Sequence, residues 1–151
     1  MSLTFLDCDL ASPGSHNGAG WRCGVRIGAN FIAIARRLMR DAHTEAEWRT
    51  VINRCYYGAF RTMRGYARTV GFVVDRNRSV HRHLIQFLHA SDDATLNQCA
   101  DLLFNLRTLR EISDYDEPGG ITKTDAQGAI EDAADIIEEK LVEIEAKKKI
   151  R

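Results

Sequence analysis

The chain has 151 residues, of which 44% are apolar and only two are proline. That is enough for one globular domain burying about two thirds of its unfolded surface, and so few helix breakers favour helices. The longest apolar run, Phe31 to Ala35, is far too short to span a bilayer, and the N-terminus lacks a basic region followed by an apolar core, so no membrane partner and a cytoplasmic location are expected.

Zero net charge hides a polarity along the chain. Arg36 to Arg82 carries 11 arginines against four acids, and His83 to Arg151 carries eight basic residues against fifteen acids. Such opposed halves suit either a nucleic-acid face or attraction between neighbouring helices. Cys8, Cys23, Cys55 and Cys99 form no C-x-x-C pair, which indicates neither a zinc knuckle nor a disulfide framework.

Residues 1–29 hold five of the eleven glycines and show no sustained period, so they read as a flexible N-terminal arm. Phe31, Ile34, Ala35, Leu38 and Ala42 then recur at helical spacing and predict helix one. Thr44-Glu-Ala-Glu47 has the form of a capping box opening a long second helix from about Glu45 to Val70. Its core stripe would run from Trp48 through Cys55, Tyr56 and Met63 to Val70, with Gly71 ending it. Ser79 can cap a short third helix carrying Leu84 and Leu88, and Asp92 or Asp93 a fourth from about Ala94 to Tyr115. Thr124-Asp-Ala-Gln127 reads as a second capping box before a fifth helix, whose acidic face leads to the Lys147–Lys149 run. No segment alternates with period two. The expected fold is all-α, an up-and-down bundle of four main helices plus one short helix over residues 30–146, followed by a basic tail over 147–151.

Arg110 falls on the apolar stripe of helix four, within roughly one third of a turn of Cys99, Leu103 and Leu106. A buried guanidinium cannot shed its proton and must be matched by carboxylates, carbonyls or a bound anion. Asp114, one turn on, offers a structural ion pair; a phosphate or RNA site is the other explanation. On helix two, Arg54, Arg61, Arg64 and Arg68 fall within an arc of about 80° with Tyr57 among them. This basic strip with one aromatic suits RNA phosphates and a stacked base, with Arg107 as a further candidate, or else a solvated face. His81 and His83 diverge by about 160° on a helix, and no acid or thiol completes a ligand set, so no metal and no cofactor is expected.

The run Asn53-Arg-Cys-Tyr56-Tyr57-Gly58-Ala59-Phe60, then Gly71, His81 and Arg110-Glu-Ile-Ser-Asp114-Tyr115, resembles the HEPN domain superfamily. The nearest branch is a small stand-alone one with YYA-F and R-x-x-x-D-Y signatures, and the similarity covers Asn30 to Glu145. The resemblance implies a helical bundle that forms homodimers, in prokaryotic toxin–antitoxin or defence settings, associated with RNA or nucleotides and often partnered by a small nucleotidyltransferase antitoxin. Many such proteins are metal-independent endoribonucleases, with an arginine on phosphate and a histidine about four to six residues later transferring protons at a dimer interface. Arg110 matches the arginine, Asp114 would orient it, and Tyr115 stands where the histidine would. With a reference pKa near 10 against about 6.5 for imidazole, tyrosine is a poor general base at neutral pH. Three readings follow: an RNA- or nucleotide-associated domain without the family's usual catalysis, an active ribonuclease using Arg110 with a different base such as His81, and a helical partner-binding module.

Overall fold

A computed structural model describes residues 19–150. It is all-helical among those residues: α1 (Ala19–Asp41), α2 (Glu45–Thr69), α3 (Val80–His89), α4 (Ala94–Tyr115), and α5 (Lys123–Ala134), which passes through a π-helical turn at Asp135–Lys140 into α6 (Leu141–Ile150). Counting the last stretch as one rod gives the expected four long helices and one short one. No helix is long and apolar enough to cross a membrane among the described residues.

The long central helix α2 organises the bundle, because α1, α3, α4 and α5 all pack against it. Its start is the expected capping box: the Thr44 hydroxyl accepts from the Glu47 amide at 3.3 Å and Glu47 accepts from the Thr44 amide at 2.9 Å, satisfying orphan donors at both positions. At its end Gly71 takes a left-handed conformation, φ 101°, which a side chain would resist. Val51, Ile52, Cys55, Tyr56, Ala59, Met63 and Tyr66 are buried as the stripe predicts, whereas Val70 is exposed. Asp93 caps α4 through the Thr95 amide at 2.9 Å.

Four local expectations are corrected. Helix α1 begins at Ala19, well before Phe31, so the segment from Ala19 to Ala29 belongs to the bundle; the rest of the expected arm lies outside the described residues. The signal was in the glycines. Gly24 and Gly28, four apart, form the contact face against α2: a Cβ on Gly28 would stand 1.9 Å from Thr62 Oγ1 and 2.9 Å from the Gly58 carbonyl oxygen, so only hydrogen lets the two backbones approach. The buried stripe of α1 is accordingly rotated, with Ile32, Ala35 and Ala42 inside and Ile34 and Leu38 largely outside.

The second capping box uses Thr122 and Asp125, not Thr124 and Gln127. Asp125 accepts from both the Thr122 amide and hydroxyl, at 2.8 and 2.7 Å, a charged acceptor prevailing over the neutral amide of glutamine. The lysine run is not a separate tail but the last turns of α6, and Lys147 ties that helix to the start of α4 through Asp93 at 3.1 Å and the Thr95 hydroxyl at 2.7 Å. Among the cysteines, Cys55 and Cys99 are buried free thiols, while Cys23 is disulfide-bonded, which the wide cysteine spacing did not indicate.

Candidate phosphate-binding site

Tyr56 and Tyr57 are neighbours on α2, so their side chains leave the helix about 100° apart and can serve two helices at once. Their rings meet edge-to-face at 5.2 Å. Tyr56 turns inward, 1% exposed, and its hydroxyl meets Nδ1 of His81, in the first turn of α3, at 2.5 Å. The imidazole also lies on the Phe60 ring at 4.3 Å. Tyr57 turns toward α4 and accepts a hydrogen bond from Arg110 Nη2 at 3.2 Å. The Arg110 guanidinium stands 5.5 Å from the Tyr57 ring centre and 6.0 Å from that of Tyr56, within range of cation–π attraction.

The expected ion pair exists: Arg110 Nε and Asp114 Oδ2 are 2.7 Å apart, both side chains half-buried. The Nε–H nevertheless lacks the alignment of a hydrogen bond, so the contact is one of charge. Asn53 Nδ2 donates to the other Asp114 oxygen at 3.2 Å and fixes the carboxylate. Of the five N–H donors that a guanidinium carries, Arg110 thus commits one to an aligned protein hydrogen bond.

Arg49 shows what a purely structural arginine looks like in this bundle. Its Nε and Nη2 both donate to Glu45 Oε1, at 3.0 and 2.8 Å. Nη1 donates to the carbonyls of Ser113 at 2.6 Å and Asp116 at 3.0 Å, and Nη2 to that of Glu117 at 3.0 Å. These are carbonyls at the C-terminus of α4, where the helix leaves acceptors without partners. Glu45 completes the latch by accepting from the Gly119 and Ile121 amides, and these bonds with that of Arg49 hold its pKa below the ordinary value of 4.5.

Electrostatically the cluster is cationic. The pKa of His81 is lowered from 6.5, first by burial and then by Arg110, Arg107 and Arg64, with Glu111 opposing; the imidazole is therefore neutral at pH 7. Burial raises the pKa of the Tyr56 phenol, which keeps its proton. Arg107 pairs with Glu111 at 2.8 Å.

The expected site residues are thus divided by the fold. Arg110, Asp114, Tyr57 and His81 come together, with Arg107 beside them. Tyr115 does not: it is 77% exposed, because five helical residues turn it about 140° away from Arg110. The strip expected to lie open on α2 is half covered. Arg54, Arg61 and Arg64 are half-buried and only Arg68 is exposed, since α1 lies along that side; Arg54 sits 5.4 Å from the Phe31 ring and donates to Asn53 Oδ1. Sequence reasoning missed Tyr56 and Asn53 as partners of His81 and Asp114. The adjacent tyrosines on one helix were the available signal. No group of three or more side chains suited to a metal occurs among the described residues, and two shallow clefts, at Ile34 and Leu38 and between α4 and α5 at Phe104 and Asp132, lie apart from the cluster.

A five-helix bundle with an under-satisfied arginine facing paired tyrosines is the class that fold and site define. The model of the HEPN domain matches residues 25–145, and the chain belongs to that family, which points to nucleotide- or RNA-associated work. No curated protein matches the chain, and no solved structure does.

Proposed function

We propose that the chain is an RNA-binding HEPN domain of the prokaryotic toxin–antitoxin or defence type that holds a phosphate on Arg110. One observation carries this reading: a half-buried guanidinium with a single aligned hydrogen bond, to Tyr57, in a protein that elsewhere saturates Arg49 completely. Phosphate oxygens are the natural acceptors for the remaining donors, since a guanidinium fork matches them two at a time. Tyr57 lies one helical turn from Arg61, and the half-buried Arg61 and Arg64 with the exposed Arg68 continue the same side of α2, adding positive charge for a strand beside an aromatic face. Asp114, held by Asn53, orients Arg110. Function as a homodimer, and neutralisation by a small nucleotidyltransferase antitoxin, are part of the same proposal.

The test is binding of single-stranded RNA over a range of salt, with cleavage followed in EDTA. Binding that weakens with salt and drops in Arg110→Ala at unchanged folding supports the reading; salt-independent or absent binding leaves a partner-binding module. A second reading, a metal-independent endoribonuclease, is favoured by the neutral His81 imidazole in the same cluster. It requires cleavage in EDTA that is lost in both Arg110→Ala and His81→Gln.

A further inference from the structure

His81 is held in one orientation by groups that cannot move far. The buried Tyr56 hydroxyl takes Nδ1, Phe60 backs the ring, and Tyr57 meets it edge-on at 6.4 Å. Its Nε2 has no hydrogen-bond partner among the described residues and is not a buried atom, so it is open to a ligand that reaches this cluster. The charged and titratable groups around it are Arg64, Tyr56 and Tyr57 from α2 and Arg107, Arg110 and Glu111 from α4. Burial and the three arginines disfavour a proton on the imidazole in the free protein and Glu111 opposes them, with the Asp114 carboxylate paired to Arg110. A phosphate seated on Arg110 reverses that balance, because its charge lies beside the ring while the arginines stay where they are.

We propose that His81 is a second phosphate-contacting residue of this site, taking up a proton from solvent when a nucleotide phosphate binds at Arg110 and releasing it when the phosphate leaves. The inference rests on the reading of Arg110 as the phosphate holder. Tyr56 makes the exchange inexpensive. Its hydroxyl donates to Nδ1 while the ring is neutral, and turns to accept from Nδ1–H once Nε2 and Nδ1 both carry protons. In the charged state Nε2–H gives the phosphate a charge-assisted hydrogen bond.

The test follows the imidazole resonances of the full chain by NMR across pH, free and with a non-cleavable 2′-O-methyl oligoribonucleotide or with ATP, using His81→Gln and Tyr56→Phe to assign the His81 signal. Free His81 is expected to titrate below its reference value of about 6.5. Ligand is expected to raise that titration by roughly one unit, with roughly fivefold tighter binding at about pH 5.5 than at about pH 7.5, a gain absent in His81→Gln. A response to the strand alone or to ATP alone supports the proposal and identifies the source of the phosphate. Binding that depends on Arg110 while the His81 titration stays put, or a pH profile that survives in His81→Gln, overturns the proposal and leaves the phosphate site standing. Failure of both ligands to bind in an Arg110-dependent way overturns this proposal and the phosphate site together. Because the titration shift is read in the unaltered protein, it decides the question even where a variant fails to fold.

Discussion

Arg49 and Arg110 are both half-buried arginines paired to a carboxylate one helical turn away, yet the bundle treats them differently. Arg49 spends its donors on Glu45 and on the carbonyls that end α4, joining the start of one helix to the finish of another. Arg110 touches one carboxylate by charge and one hydroxyl by hydrogen bond. A buried cation with donors to spare costs stability unless something arrives to use them, so the difference separates an arginine kept for architecture from one kept for a ligand.

Substitutions should widen that contrast. Arg49→Ala is expected to lose about 2–3 kcal/mol of stability, because Glu45 and several helix-end carbonyls lose their donor together; urea unfolding measures this, and RNA affinity per folded molecule should not change. Arg110→Ala should cost less than about 1 kcal/mol in the same assay, since its pairing is partial. A larger loss would place it with Arg49.

Acid should act on the first region more than the second. The pKa of Glu45 is lowered from 4.5 by Arg49 and by the Gly119 and Ile121 amides. Its contribution is therefore complete above pH 4.5 and is lost as the pH falls through the folded-state value. The melting temperature should decline over that window, and Glu45→Gln should flatten the decline. The smallest expected effect is that of Asp114→Asn, which removes the charge beside Arg110 while preserving a partner for Asn53. RNA affinity should fall about threefold, because the carboxylate that orients Arg110 is replaced by a neutral amide; a rise would show that Asp114 chiefly neutralises the guanidinium.

Periodicity and caps made most of the helices legible. Thr44 with Glu47 and the limits of α4 at Ala94 and Tyr115 are as read, and of the two candidate caps Asp92 and Asp93 it is Asp93 that caps α4, because local hydrogen bonding decides where a helix starts. The beginning of α1 was hidden, since a face built on Gly24 and Gly28 has no apolar signal and shows itself only when a second backbone lies against it. The site was half legible. Arg110 with Asp114 is an i,i+4 pair visible on a helical wheel, whereas the links of His81 to Tyr56 and of Arg110 to Tyr57 join residues 25 and 53 positions apart, which no single-helix pattern encodes. Tyr115 took a place in the motif by sequence position, and helical rotation carried it away from Arg110.

The most direct measurement is the affinity of wild type, Arg110→Ala and Arg49→Ala for one single-stranded oligoribonucleotide at two salt concentrations, each with a melting curve. The account predicts salt-sensitive binding that falls about tenfold or more in Arg110→Ala at a nearly unchanged melting temperature, and that persists in the folded fraction of Arg49→Ala. Equal affinity of wild type and Arg110→Ala, or a melting temperature that drops in Arg110→Ala as far as in Arg49→Ala, would contradict it.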